Sequence, residues 1–174
     1  IFMKKKNKKK GILFWITGLS GAGKTSISKK IYQQIVNTYG KTIIINGDDL
    51  RKIFDLKGYS YKDRKKIGLQ YSKFFKKITD QNINIIFAGV VLIESVRKWN
   101  RLHIDNYLEI YLKADIKKIM LKKYKKLYLK TKNLVGLNIK AEFPRKPDIM
   151  IKNNFKESIT NISKRLFEKI RKIS

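Results

Sequence analysis

The chain has 174 residues, no cysteine, one histidine and a formal net charge of +29. The absence of cysteine excludes disulfides, thiolate metal sites and thiol redox control, and the apolar runs are too short to span a bilayer. With 43% hydrophobic and 11% aromatic residues, the composition is that of one globular domain rather than a disordered chain.

In chain order, residues 1–10 (IFMKKKNKKK) read as a basic, solvated tail ahead of a domain spanning 11–174. The next segment, GILFWITG, has no small-residue cleavage pattern, so it reads as a first strand rather than a signal peptide, and a cytoplasmic location is expected. Strands are predicted at 11–17, 42–46, 83–89, 107–113 and 148–152. Each is β-branched or aromatic and apolar on both faces, as buried parallel strands are. Helices are predicted at 24–38, with Ile27, Ile31 and Ile35 on one stripe; at 62–79, with Ile67, Tyr71, Phe74 and Ile78; and at 156–172, with Ile159, Ile162, Leu166 and Ile170. Alternating β and α elements predict an α/β fold of three αβα layers around a five-stranded parallel sheet. Ligands of such sheets bind beyond the carboxyl ends of the strands. The lysine run at 116–130 reads as a solvated helix face, in the region where nucleotide kinases of this architecture carry a mobile lid.

Two readings of the charge compete. A basic surface suits nucleic acid or membranes; alternatively, Lys, Ile and Asn are high throughout, as an AT-rich coding sequence would produce. No stretch interleaves aromatics and arginines as an RNA-binding sheet does, so nucleic acid is not the expected partner. The single histidine, His103, lacks a Cys or His partner and reads as a helix-surface residue. Trp15 reads as core of the first strand, and Trp99 as core or as a wall of an acceptor pocket.

The strongest motif follows the first strand. Gly18-Leu19-Ser20-Gly21-Ala22-Gly23-Lys24-Thr25 matches G-x-x-x-x-G-K-S/T, the phosphate-binding loop of P-loop NTPases. Glycines let backbone N–H groups approach an anion without a Cβ in the way, and the helix that starts here presents its positive end to the same point. Gly18, Ser20, Gly21, Ala22, Gly23, Lys24, Thr25 and Ser26 are therefore the expected ATP cradle. Lys24 would reach the β- and γ-phosphates, and Thr25 would ligate Mg²⁺. After the second strand, NGDDLRKIF (46–54) places Asp48 and Arg51 just beyond a strand end. Asp48 either orders Mg²⁺ and accepts a hydroxyl proton or caps a helix; Arg51 either grips an anion or is solvated. GYSYKDR (58–64) adds Tyr59 and Arg64, suited to a base and a phosphate, or else a loop running into a helix that starts at Ser60 or Asp63.

Together, the loop (18–25), Gly-Asp-x-x-Arg (47–51), Gly-Tyr-Ser-x-x-Asp-Arg (58–64) and the later AEFPRKPDIMIKNN (141–154) resemble the adenylylsulfate kinase family over roughly residues 12–155. The resemblance implies transfer of the γ-phosphate of ATP, with Mg²⁺, to the 3′-hydroxyl of adenosine 5′-phosphosulfate in sulfate assimilation. It implies that Lys24, Asp48 and Arg51 act in catalysis and that Thr25 and Asp48 hold the metal. Arg51 and Arg64 would grip the phosphosulfate, and Tyr59 would stack on the substrate base where the family has Phe. Read from the residues alone, Arg97 and Arg101 are further substrate-side candidates, either of which could face phosphate. A homodimer is likewise implied by the resemblance. The chain departs from the family pattern on the acceptor side. Asn46 replaces the first Asp of Asp-Gly-Asp, Ile67 replaces an Asn, AGVVLIESVRKWNR (88–101) lacks the Ser-Pro-Tyr element, and KKYKKLYLK (122–130) has Lys123 in place of an acidic residue. The alternatives are a P-loop kinase of another nucleotide or small hydroxyl acceptor, and a basic nucleic-acid-binding NTPase.

Overall fold

The structure is a computed structural model that describes residues 10–121 and 133–173. The lysine-rich tail before Lys10, and most of the candidate lid with Lys123, Leu127 and Tyr128, lie outside the described residues. The elements run β1 (Ile12–Thr17), α1 (Lys24–Tyr39), β2 (Thr42–Asn46), α2 (Gly47–Ile53), α3 (Tyr61–Thr79), β3 (Asn84–Gly89), α4 (Glu94–His103), β4 (Asn106–Ala114), α5 (Ile116–Ile119), β5 (Ile149–Asn153) and α6 (Ile159–Ile173). The five strands are parallel and lie in the order β2-β3-β1-β4-β5. This is the predicted α/β P-loop architecture with a five-stranded parallel sheet.

β1 occupies the centre of the sheet, and this explains its composition. Its neighbours on both sides and helices above and below leave Leu13, Phe14, Trp15 and Ile16 with no solvent exposure, so no polar alternation survives in the sequence. Alternate residues feed two cores. Phe14 and Ile16 join Ile27, Ile31 and Ile35 of α1 and Ile162, Leu166 and Ile170 of α6. Leu13 and Trp15 join Ile67, Tyr71 and Phe75 of α3 and Val96 of α4. Trp15 is core, as expected, with Phe87 at 4.4 Å between ring centroids.

Local chemistry sets the helix limits. Ser60 and Asp63 form a reciprocal capping box that starts α3 at Tyr61. The last helix begins at Ile159 rather than 156. The side chains of Asn153 and Asn154 bond the N–H groups of Phe155 and Lys156, and Phe155 sits at φ 65°, so the chain turns before it can coil. Lys10, at the end of the predicted tail, pairs with Asp80 and Asp105 at 2.9 Å each. Among the described residues no helix is long and apolar enough to cross a membrane.

Ile86, on β3, has no solvent exposure and sits in the first core. Ile86→Ala should lower stability by roughly 2–5 kcal/mol, read by chemical denaturation, because the rigid sheet cannot close the cavity.

Candidate active site

The carboxyl edge of the sheet gathers three segments: the glycine loop after β1, α2 after β2, and residues 89–93 after β3. The loop is shaped by close approach and by handedness. A Cβ on Gly18 would lie 2.5 Å from the Leu112 carbonyl oxygen, and Gly23 takes φ 99° immediately before α1, a left-handed conformation open to glycine. Asn153, at the end of β5, holds the loop from below. Its Nδ2 donates to the Ala22 carbonyl at 2.9 Å, while its Oδ1 accepts from Phe155 N–H. Sequence reasoning missed Asn153; its only signal was a strand-terminal Asn 131 positions from its partner.

Ser20, Gly21, Gly23, Lys24, Thr25, Ser26, Asn46 and Asp48 surround a cleft of about 220 Å³. Gly18 and Ala22 are buried and do not line this cleft. The Lys24 Nζ donates to the Leu19 carbonyl at 2.8 Å. Burial pulls its pKa down from 10.5 to about 8, against a weaker opposing pull from Asp48. A polyphosphate beside this ammonium would favour its charged form against the burial that disfavours it.

A second, narrower cleft of about 40 Å³ shares Asp48, Gly89 and Val90 with the first. Its walls include Arg51, Arg64, Ile67 and Tyr71. α2 forms as the sequence allowed, but Asp48 and Asp49 occupy its first turn without capping it: the N-cap is Asn46, and no side chain caps the helix. Asn46 Nδ2 instead donates to Asp49 Oδ2 at 2.9 Å. Its Oδ1 is buried beside the cleft with no partner.

Arg51 and Arg64 both lie against the Tyr59 ring, at 4.5 and 5.5 Å from its centroid. The ring is half exposed. Arg51 Nη1 donates to the carbonyls of Leu56 and Gly58. Arg64 Nε donates to the Tyr59 carbonyl and Nη2 to that of Asn133. These bonds leave Nε and Nη2 of Arg51 and Nη1 of Arg64 for a ligand. Burial pushes the Tyr71 phenol up to about 12, so it stays neutral and donates to the Gly47 carbonyl at 3.3 Å.

The structure brings Arg97 and Arg101 to neither cleft, which corrects the expectation that they bind substrate there. Both lie on α4 and point into the protein. Arg97 Nε pairs with Glu109 Oε1 and Arg101 Nη2 with Glu109 Oε2, each at 2.8 Å, and Arg101 Nη1 reaches Asp148 at 3.0 Å. Trp99 stacks flat on His103, with ring centroids 4.3 Å apart, and lines neither cleft. His103 is exposed near the helix end, as expected.

The family model described as adenylylsulphate kinase matches residues 10–152. The chain is 31% identical to cytidine diphosphoramidate kinase of Campylobacter jejuni over 163 residues, covering 88% of this chain and 95% of that relative. It is 30% identical to adenylyl-sulfate kinase of Buchnera aphidicola over 169 residues, covering 88% and 80%. Among solved structures, APE1195 superposes with a TM-score of 0.83 at 22% identity, covering 95% of this chain and 97% of that one. The APS kinase CysC of Mycobacterium tuberculosis in complex with AMPPNP and APS superposes with a TM-score of 0.82 at 20% identity, covering 93% and 98%. A phosphate loop at the edge of this sheet, a family model spanning most of the chain and relatives matched along nearly all of it lead to one assignment: the chain is a P-loop kinase and belongs to the adenylylsulphate kinase family.

Proposed function

We propose that this kinase transfers the γ-phosphate of ATP to the ribose 3′-hydroxyl of a nucleotide whose 5′-phosphate carries a second small group. The observation that carries this reading is the meeting of the two clefts at Asp48. The first is lined by the phosphate loop and the second by two arginines with unused donors. A hydroxyl seated at Asp48 would stand between the transferring group and the anionic end of its own molecule.

In this reading the loop amides and Lys24 take the ATP phosphates. Asp48 accepts the hydroxyl proton, and the free N–H groups of Arg51 and Arg64 hold the 5′-anhydride oxygens. Thr25 and Asp48 would hold Mg²⁺, and the unpartnered Asn46 Oδ1 adds a third neutral or anionic oxygen at the same cleft. That all-oxygen set suits this hard cation, which keeps several waters and leans on phosphates. When bound, Mg²⁺ supplies neutralisation of the β- and γ-phosphate charge. The protein contributes mainly position and charge.

Two acceptors belong to this class. Adenylylsulfate would give 3′-phosphoadenosine 5′-phosphosulfate, as the family resemblance implies. Cytidine diphosphoramidate is the acceptor that a relative's name indicates, and we favour it here. Ile67 and Val91 fill the wall of the second cleft, where the adenylylsulfate pattern would place an Asn and a Ser-Pro-Tyr element. A narrow apolar wall suits a pyrimidine better than a purine.

A coupled ADP-release assay comparing the two compounds tests the choice. A higher kcat/KM for the cytidine compound is expected, a higher value for adenylylsulfate would reinstate the family's reaction, and turnover of neither would remove the proposal. Asp48→Asn should cut kcat by about 100-fold or more while ATP affinity stays near wild type. Arg64→Ala should raise the acceptor KM and leave the ATP KM unchanged, and equal loss of both would place Arg64 elsewhere. ATP binding should also take up a proton. The free protein holds Lys24 at about 8, and the bound polyanion restores the ammonium. Calorimetry at pH 8–9 in buffers of different ionisation enthalpy should show that uptake, and Lys24→Met should lose it. In the ligand-free protein the unfolded chain retains this proton up to its ordinary 10.5, so Lys24 makes stability rise with pH between about 8 and 10.5.

A further inference from the structure

We propose that Glu142 is a positioning residue for the acceptor: its carboxylate clasps the start of α3 to the start of α4 and so fixes the spacing of the two walls of the second cleft. The inference deepens the function proposed above and rests on its seating of the acceptor in that cleft.

The two walls come from segments distant in the chain. One is α3, where Arg64, Ile67, Gly68 and Tyr71 line the cleft; the other is the end of β3 and the loop after it, through Gly89, Val90 and Val91. At Gly68 the walls meet directly. A Cβ there would lie 3.0 Å from Val91 and 3.1 Å from Val96, the latter on α4, so the missing side chain lets α3 and α4 approach. At the start of α3 the join is polar instead. Tyr61 lies on the same stripe as Arg64 and Gly68, three and seven positions before them. Its hydroxyl donates to Glu142 Oε1 at 3.1 Å. Glu142 Oε2 accepts from the N–H of Glu94, the first residue of α4, at 2.6 Å. The N–H of Glu142 itself donates to the Leu92 carbonyl, in the β3–α4 loop, at 2.9 Å. One residue thereby holds both walls.

Each contact meets a need of its helix. The N-cap of α4 is Ile93, which has no side chain to offer a bond. A carboxylate on a first-turn N–H satisfies an open donor and meets the positive end of the helix. α3 already has the Ser60–Asp63 capping box, so the Tyr61 hydroxyl is not spent on starting the helix and can locate it. Burial, together with the bond to Glu142, pushes the Tyr61 phenol up, so it stays protonated and donates. A second tie runs alongside, from Arg64 Nη2 to the Asn133 carbonyl. Residues 133–142 are thus pinned to α3 at both ends and to α4 through Glu142. Glu142 lines neither cleft, so it acts on an acceptor through the walls it joins.

Amide hydrogen exchange on the full chain reads the clasp without any acceptor. Glu142→Ala should speed exchange about threefold or more at the starts of both α3 and α4 and leave the phosphate loop unchanged. Steady-state kinetics, with whichever of adenylylsulfate and cytidine diphosphoramidate is turned over, reads its effect: the acceptor KM should rise about fivefold or more while the ATP KM stays near wild type. Glu142→Gln should recover most of both losses, since a side-chain amide can accept from the Glu94 N–H and donate to a reversed Tyr61 hydroxyl. Exchange unchanged at the start of α3, an unchanged acceptor KM, an equal rise in both KM values, or a Gln variant as damaged as the Ala variant would each overturn the proposal. Turnover of neither acceptor removes the proposed function, and the exchange comparison then decides the clasp by itself. Should Glu142→Ala fail to fold, Tyr61→Phe, which removes one hydroxyl from an exposed ring, carries the same test, with faster exchange at α3 expected and wild-type exchange fatal.

Discussion

A lysine ammonium is buried under the glycine loop, with a carbonyl bond at 2.8 Å as its compensation. Most of this protein is arranged to make that position tenable. β1 must be rigid and central to present the loop, and it is: helices on both faces and strands on both sides leave five consecutive residues, Leu13 to Thr17, with no exposure. The loop must hold a left-handed Gly23 and a close approach of Gly18 to β4. Asn153 ties the Ala22 carbonyl to the end of β5, so the far strand of the half-sheet also supports the loop. A buried cation costs free energy until an anion arrives, and the scaffold pre-forms that mismatch.

The second cleft, where the proposed function seats the acceptor, is built by a different principle. There the cations are exposed or half-exposed and already bonded to carbonyls of their own loop. Tyr59 lies against two guanidinium groups, which keeps like charges close together without an anion between them. The two halves meet at Asp48, the only residue of the sequence motif GDDLR that lines both clefts along with the β3 end.

The sequence made some of this legible. Two-sided burial leaves apolar runs, so all five strands were readable to within a residue or so, and the glycine loop announced itself because its spacing is dictated by the shape of a phosphate. Ser60 and Asp63, three apart, were readable as a helix start for the same reason of local geometry. What could not be read were arrangements whose partners are distant in the chain. Arg97 and Arg101 read as residues that could face phosphate. Their partners are Glu109, inside an apolar strand, and Asp148, 47 positions beyond Arg101. Burial pushes Glu109 up despite the two arginines, a balance that only the folded arrangement sets. Asn46 was legible as a substitution, but its bond to Asp49 and its orphaned oxygen were not.

Arg64 joins two parts of the molecule: one nitrogen bonds the loop at Tyr59, another the chain at Asn133, 69 residues away. A residue with two structural obligations, and in the proposed function an anion to hold as well, has little evolutionary freedom, because any replacement loosens the loop and the distant turn together. Ile67, one helical turn further along α3 and lining the same cleft, packs in the second core but has no hydrogen bonds to preserve. Diversification of acceptor choice among such enzymes would therefore be expected to proceed through apolar wall positions like this one, while the guanidinium beside it stays fixed.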